Sequence, residues 1–289
     1  MMTRLAAAAV AAALLRLWGT LAITSSFSDA EWLAADSQCA ATTAALQAGI
    51  DTVAAAGGGF VQLPCGFHAT APLSLHGGVT ISGAHCALEG TGPKLLVLGA
   101  CTAAQMHILH ITGDNVTVSG VRFDCANLTL DTGRDMAAVH SMTGATQNLL
   151  LENNRFANIN LTSQGFHAVI LSGCTGCVVR GNHVDQSGGD ALNFNSGEYV
   201  ITGNTVQNTG DGCIALNNNA FGVVANNILR RCNLGIGAGP AGAVATANAS
   251  TPFVITGNLI EDSDYGVLLG WFAYPGRLGP VSQSTRPMS

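Results

Sequence analysis

A repeated segment dominates the chain. Five segments share an apolar stretch, a small or polar residue, an asparagine, any residue, and then an apolar residue. A sixth, 116–123, keeps this pattern with Val121 in place of the asparagine. Repeats of roughly 20–50 residues are typical of proteins in which each repeat is one structural unit stacked on the next. The five segments are 149–156, 177–184, 199–206, 222–229 and 253–260.

The asparagine of each segment predicts a turn that stacks on the turn of the next segment. Successive aligned asparagines lie 28, 22, 23 and 31 residues apart. If each repeat is one coil, the coils stack at the roughly 4.8 Å spacing of hydrogen-bonded strands. The side-chain amides can then bond to one another along the axis. The aligned residues are Asn154, Asn182, Asn204, Asn227 and Asn258.

A second apolar segment lies between successive repeats. Its larger apolar residues alternate, as in Leu192 and Phe194 or Ile214 and Leu216. A period of two is typical of a strand with one buried face. Short strands in units of this length predict an all-β parallel solenoid, and they exclude the longer units of a β-propeller and the spacing of a leucine-rich repeat. These segments are 137–141, 168–172, 191–195, 213–217, 235–239 and 266–270.

A short N-terminal capping helix is predicted over 42–56. Leu46, Ile50 and Val53 form one apolar stripe of this helix, and a glycine cluster follows it. A solenoid needs such a cap, because its first coil otherwise exposes an open strand edge.

The two ends of the chain lack the repeat. A positive start and the apolar run 5–15 predict a signal peptide over 1–28, since the run is too short for a membrane span. An organelle transit peptide is the alternative, because no acidic residue precedes Asp29. We expect one solenoid domain over 29–272 and an irregular tail over 273–289.

Composition restricts the partners. The net charge is −6 and no basic stripe is apparent in the sequence, which argues against nucleic acid as a partner. Asn115, Asn127, Asn160 and Asn248 each begin a glycosylation motif. Together with the leader, these motifs favour a secreted glycoprotein with no membrane span in the mature chain. We expect it to be a monomer.

Alignment of the coils places two aspartates at the start of the same strand on neighbouring coils. Asp190 and Asp211 are within reach of one ligand in this alignment, and His167 lies one coil before Asp190. Two close carboxylates repel, which raises the pKa of one so that it can donate a proton while the other stays ionised. Glycoside hydrolysis requires this arrangement. The alternative is structural, because aspartates after glycine are favoured in turns.

Amide side chains beside small residues predict a groove that binds a sugar chain. Asn193, Asn195 and Asn217 point outward from the strands, and Asn233 aligns with Asp211 on the following coil. We predict these four residues and His167 as substrate contacts, although a single histidine beside a strand is commonly only packed there.

Two further clusters have structural and functional interpretations. Cys174 and Cys177 form a CxxC that lacks the second pair or histidines of a zinc site, so it predicts a local disulfide or small buried side chains. The acidic residues Glu261, Asp262 and Asp264 are either calcium ligands or a solvated turn. No cofactor is expected beyond this possible calcium.

Three segments resemble polygalacturonases and related proteins of the pectate-lyase superfamily. Residues 41–68 are similar to their start, with a capping helix, a glycine cluster and a strand ending in Leu-Pro-x-Gly. GGDALNF (188–194) and NTGDGCIAL (208–216) resemble two catalytic segments that usually read NTDGIDI and STGDDCIAI. The resemblance implies a right-handed parallel β-helix, with Asp190 as the aspartate that activates water and Asp211 as the general acid.

The chain departs from this family at several positions. Gly212 stands where the family has the second aspartate of a pair, and Leu234 stands where it has a histidine between two glycines. The Arg-x-Lys that grips a uronate carboxylate has no counterpart. These departures point away from the family's usual hydrolysis of polygalacturonate. The resemblance also implies a disulfide between Cys213 and Cys232.

Three functions are consistent with the sequence. The leading hypothesis is a glycosidase that uses Asp211 as acid and Asp190 as base. The second is a polysaccharide lyase or uronate epimerase on the same scaffold, which would recruit a basic residue such as His167, Arg180 or Arg230. The third is a glycan-binding protein without catalysis, since a fold alone does not determine function.

Overall fold

The computed structural model describes residues 36–63, 72–83, 94–96, 107–124, 136–141, 146–159, 165–239, 253–269 and 282–283. The predicted signal peptide, 1–28, lies outside these ranges. The helix is α1 (Asp36–Ala55). The strands are β1 (Gly59–Gln62), β2 (Leu73–Leu75), β3 (Val79–Ser82), β4 (Lys94–Leu96), β5 (His107–Ile111), β6 (Thr117–Ser119), β7 (Arg122–Asp124), β8 (Met136–Ser141), β9 (Leu150–Glu152), β10 (Arg155–Ala157), β11 (Phe166–Arg180), β12 (His183–Ser187), β13 (Leu192–Thr202), β14 (Thr205–Ala225), β15 (Ile228–Ala238), β16 (Phe253–Thr256), β17 (Leu259–Glu261), β18 (Tyr265–Leu269) and β19 (Ser282–Gln283).

The strands form three parallel faces around one axis. Face one stacks β2, β5, β8, the starts of β11 and β13, the middle of β14, the end of β15, and β18. Face two stacks β1, β3, β6, β9, the later parts of β11, β13 and β14, and β16. Face three stacks β4, β7, β10, β12, the starts of β14 and β15, and β17. The predicted all-β solenoid is confirmed.

The core lies inside the coils and is built from columns of apolar side chains. Val169, Leu192, Ile214 and Ile236 are in register on successive coils of face one, and all four are fully buried. Burial of one such side chain contributes about 1.5–3 kcal/mol. Alternation therefore determines which side chains of each strand point outward and remain available for function.

The predicted asparagine turns form a continuous ladder. The side-chain oxygen of Asn182 accepts hydrogen bonds from the backbone N–H and the side-chain amide of Asn154, both at 3.0 Å. Asn204, Asn227 and Asn258 repeat the pattern on the next three coils. Each buried amide is thus satisfied by its neighbours, which keeps successive turns in register.

The helix caps the first coils as expected. Leu46 and Ile50 are buried, and the side chain of Gln47 bonds both backbone groups of Ser74, accepting from its N–H at 2.8 Å and donating to its carbonyl at 3.0 Å. The helix begins at Asp36, earlier than the predicted start at 42. The prediction relied on the apolar stripe, which does not extend into the first turns. Those turns contain alanines, which favour a helix without contributing to the stripe.

The other end of the described solenoid is exposed. Val254, Leu259, Tyr265 and Leu269 belong to the last coil and are each more than 40% exposed. Of the tail predicted to be irregular, 273–289, the structure describes only β19, which pairs antiparallel with β18. Ser282 and Gln283 therefore form a strand, because the edge of β18 has backbone groups available for pairing.

Candidate active site

The two predicted aspartates lie at the corner between face three and face one. Ser187 is in register with Thr209, and Leu192 is in register with Ile214. Residues 188–191 therefore stack on residues 210–213. Asp190 therefore stacks on Gly212, and Asp211 lies one residue earlier on the following coil. The alignment that brought the two aspartates onto neighbouring coils is confirmed.

Asp211 occupies a bulge. Thr209 pairs with Cys232 and Gly212 with Leu234, so two residues of β14 oppose the single residue Asn233 of β15. Bulges of this kind redirect a side chain and are common beside active sites. The hydroxyl of Thr209 donates to the carbonyl oxygen of Asp211 at 2.8 Å, which stabilises the turn.

Asp190 is held by two N–H donors. The backbone N–H of Gly212 donates to Oδ1 of Asp190 at 2.9 Å, and the side-chain amide of Asn193 donates to Oδ2 at 2.9 Å. Donors of this type favour the negatively charged carboxylate. The turn interpretation of the sequence assumed bonds to the local backbone, whereas one of these bonds reaches the next coil.

The carboxyl of Asp211 has different surroundings. It is half-buried and accepts no hydrogen bond from the described residues. Burial raises the pKa of Asp211 above its ordinary value, and the nearby His167 lowers it to a smaller extent. The corner thus contains one carboxylate stabilised by donors and one carboxyl that retains its proton more readily, the asymmetry that acid–base chemistry needs.

His167 is oriented by the backbone of Asp190. Its Nδ1 lies 2.8 Å from the carbonyl oxygen of Asp190, and only 5% of the residue is exposed. Because a carbonyl oxygen only accepts, Nδ1 of His167 carries a proton and donates it in this hydrogen bond. The sequence predicted His167 as a substrate contact. Its burial leaves little surface for such a contact. The effect of His167 on the site is instead to lower the pKa of Asp211.

The predicted asparagine contacts form one hydrogen-bonded strip on face one. The amide of Asn195 donates to the side-chain oxygen of Asn193 at 2.9 Å, and Asn217 donates to the same oxygen at 3.5 Å. Asn218 donates to Asn195 at 3.1 Å and joins this strip, although the sequence analysis did not identify it. Its position directly after Asn217 was the only signal for it. Asn233 is exposed opposite the bulge, outside this hydrogen-bonded strip.

A family comparison identifies the fold. Residues 107–273 match the model of the family described as "Right handed beta helix region". The chain belongs to this right-handed β-helix family. The predicted fold class, including its handedness, is therefore confirmed. No match was found among the curated proteins.

Two solved structures illustrate what this β-helix protein is similar to. The tailspike protein of E. coli bacteriophage HK620, in complex with a pentasaccharide, is 15% identical with a TM-score of 0.46, and the match covers 76% of this chain and 46% of that one. The A-module of a mannuronan C-5 epimerase from Azotobacter vinelandii is 17% identical with a TM-score of 0.44, covering 78% and 75%. The chain therefore spans about half of the tailspike that it matches.

The departures from the polygalacturonase pattern have a structural basis in this β-helix protein. A Cβ at position 212 would lie 2.5 Å from Oδ1 of Asp190, so an aspartate there would displace that carboxylate. Leu234, in the position of the family's histidine, is buried and in register with Gly212. The disulfide between Cys213 and Cys232 that the resemblance implied is present, with a Cα–Cα distance of 5.6 Å.

Three other predictions concern cysteines, metals and membranes. Cys174 and Cys177 form the local disulfide. Glu261 is paired with Arg230 at 2.6 Å, and in the described ranges no three His, Cys, Asp or Glu side chains cluster closely enough to hold a metal ion. Within the same ranges, no helix is long and apolar enough to cross a membrane.

Proposed function

We propose that this β-helix protein acts on polysaccharides and hydrolyses glycosidic bonds, with Asp211 as general acid and Asp190 as the base that activates water. The observation that carries the proposal is the asymmetry of the two carboxyl groups on adjacent coils. Burial raises the pKa of Asp211, while two N–H donors favour the ionised form of Asp190.

The proposed reaction assigns one proton transfer to each aspartate. Asp211 donates its proton to the glycosidic oxygen as the bond between that oxygen and the anomeric carbon breaks. Water attacks the anomeric carbon and gives a proton to Asp190. Each of the two products then carries a new hydroxyl group. The hydrogen bonds from Gly212 and Asn193 fix the orientation of the Asp190 carboxylate that would receive this proton.

The substrate is proposed to lie on the asparagine strip. Asn193, Asn195 and Asn217 are half-exposed and linked by hydrogen bonds, so their orientations are set before a ligand arrives. Ala215 and Gly237 are in register with Asn193 on the next two coils. Their small size leaves space for a ligand beside the amides. Polar amides beside small residues suit the hydroxyl groups of a sugar ring.

A non-catalytic glycan-binding protein is the second candidate. It is favoured by the bonds of Asp190, because a carboxylate that ties two coils together also has a structural reason to be there. Lyase or epimerase chemistry is distinguished by its products.

The test is Asp211→Asn in the full chain, assayed for new reducing ends against a panel of acidic and neutral polysaccharides. We expect cleavage to be abolished while the far-ultraviolet spectrum is unchanged. The matched control is Asp264→Asn, since Asp264 is exposed and lies two coils later in the same column. Undiminished cleavage by the Asp211 variant would remove the assignment.

Two other outcomes separate the alternatives. Products that absorb in the ultraviolet at an unsaturated end would indicate a lyase. Glycan binding by the wild-type chain without turnover on any member of the panel would indicate the non-catalytic protein.

A further inference from the structure

The asparagine strip of face one is a chain of side-chain amides that ends at Asp190. Asn193 donates to Oδ2 of Asp190 at 2.9 Å, and Asn195 donates to the side-chain oxygen of Asn193 at 2.9 Å. Asn218 donates to the side-chain oxygen of Asn195 at 3.1 Å. Asn217 joins as a branch, with its amide nitrogen 3.5 Å from the side-chain oxygen of Asn193. Every amide of the strip thus donates in the direction of the carboxylate.

The carboxylate fixes the orientation of each amide. An ionised Asp190 only accepts hydrogen bonds, so Asn193 must direct its nitrogen toward Asp190 and its oxygen away from it. Because that oxygen also only accepts, Asn195 must present its nitrogen to Asn193. The same constraint passes on to Asn218, and the branch through Asn217 obeys it too. The two outermost amides are therefore left with their carbonyl oxygens unused within the strip.

These two carbonyl oxygens are available for a ligand. The side-chain oxygens of Asn217 and Asn218 accept no hydrogen bond from the described residues, and each amide keeps a second N–H. Asn218 is exposed and Asn217 is partly exposed. Each amide can thus accept from one hydroxyl group and donate to a neighbouring one, a pattern that adjacent hydroxyl groups of a sugar ring match. A carboxylate or sulfate only accepts, so it would leave both carbonyl oxygens without a donor.

The charges on face one also disfavour an anionic ligand. In the described parts of the strands that form this face there is no lysine or arginine, and the net charge of the whole chain is −6. The strip itself ends on the carboxylate of Asp190. An anionic sugar on the strip would be repelled by that carboxylate, with no lysine or arginine beside it to offset the repulsion.

We infer that the strip is a subsite for an uncharged sugar, whose hydroxyl groups donate to the side-chain oxygens of Asn217 and Asn218. The choice of a carbohydrate rests on the proposed function, but the selection of an uncharged sugar does not require cleavage. The inference narrows the substrate to a polysaccharide that is neutral where it crosses the strip. The direction of the amide chain, set by Asp190, is the feature that separates this subsite from one built for uronates.

The binding experiment uses the full chain carrying Asp211→Asn, so that oligosaccharides stay intact throughout. The probes are oligomers of glucose, mannose and galactose, each compared with the uronate oligomer of the same linkage and length. Within a pair the two probes differ only in carrying a hydroxymethyl group or a carboxylate on each ring. We expect neutral binding in at least one pair, about tenfold tighter than that of the matching uronate, because the uronate leaves polar groups of the strip unpaired.

Asn218→Gly tests the outermost amide. Glycine suits the φ of 49° at this position, so the variant removes the amide without straining the backbone. It should weaken binding of the neutral oligomer about fivefold, the effect of one or two lost hydrogen bonds, and leave binding of its uronate unchanged. Asn226→Gly is the matched control, because Asn226 is likewise exposed with a φ of 56° but follows the part of β14 on face two.

Several outcomes would overturn the inference. These are equal affinities within every pair, tighter binding of a uronate, no binding of any neutral oligomer, or equal losses in the two glycine variants. Uronate binding that appears only on addition of calcium would also contradict it, since a cation would then occupy the carbonyl oxygens. Wild-type cleavage confined to uronans would refute the inference and keep the hydrolase, whereas neutral binding that depends on Asn218 without turnover would do the reverse.

Discussion

The carboxylate of Asp190 accepts a hydrogen bond from the backbone N–H of Gly212, one coil further along the solenoid, at 2.9 Å. In return, the carbonyl of Gly212 accepts from the N–H of Ala191 at 2.8 Å. These two bonds tie the turn that carries Asp190 to the turn that carries Asp211. The absence of a side chain at position 212 makes this contact possible, and its consequences can be tested.

Gly212→Ala should impair catalysis more than folding. The new Cβ would lie 2.5 Å from Oδ1 of Asp190, so the carboxylate must move away from its present donor. A displacement of this size in a catalytic group lowers kcat by about 100-fold. Steady-state kinetics of glycan cleavage measure the effect. Gly266→Ala is the control, because a Cβ there meets no atom within 4 Å. A variant with wild-type kcat would show that the position of Asp190 is unimportant.

His167→Gln should move the alkaline limb of the pH–rate profile to higher pH. Asp211 must be protonated to act as an acid, so cleavage declines as pH rises through its pKa. Burial raises the pKa of Asp211 and His167 lowers it, so loss of the imidazole leaves the raising influence unopposed. His76→Gln is the control, since His76 bonds Asp51 and Thr112 near the capping helix. A limb that stays in place would refute the coupling.

Asn204→Ala should lower the free energy of unfolding by about 3 kcal/mol, because it leaves several buried polar groups without partners. Those groups include the backbone N–H of Asn182 and the carbonyl of Val179. Asn258→Ala, at the half-exposed end of the ladder, should have a smaller effect since water can replace its bonds. Denaturant titration measures both. Equal losses for the two variants would show that burial of the ladder is not the source of its stability.

Removal of the disulfide between Cys213 and Cys232 should destabilise the chain by about 3 kcal/mol, the entropy expected for a loop of this length. Replacement of Cys174 and Cys177 by alanine should cost about half as much, because their sequence separation is only 3. Thermal unfolding of the two double-alanine variants compares them directly. The opposite order of stability would argue that strain or packing outweighs loop entropy here.

Much of the fold could be predicted from local patterns. Alternating Leu192 and Phe194 identified a strand with one buried face, and the recurring asparagines identified turns that stack. Both patterns reflect neighbours along the chain, where side-chain direction follows from backbone periodicity alone. The same patterns aligned Asp190 and Asp211 on adjacent coils, since both aspartates lie a short distance before an inward position.

The environment of each site residue could not be predicted in this way. The bond from Gly212 to Asp190, the burial of His167 and the place of Asn218 in the strip depend on contacts between coils. The turn preference of aspartate is a statement about its own backbone, so it gave no indication that Asp190 bonds the following coil.

Local sequence patterns specify the solenoid and the period of its strands, because these depend on residues a few positions apart. Which outward side chains meet depends on how the coils stack. Arg122, Arg155 and His183 share no motif and are separated by coils of unequal length, so only the register of the stacked strands brings them into one column. The physical reason is that coil length is set by the loops between strands, which the apolar repeat does not encode.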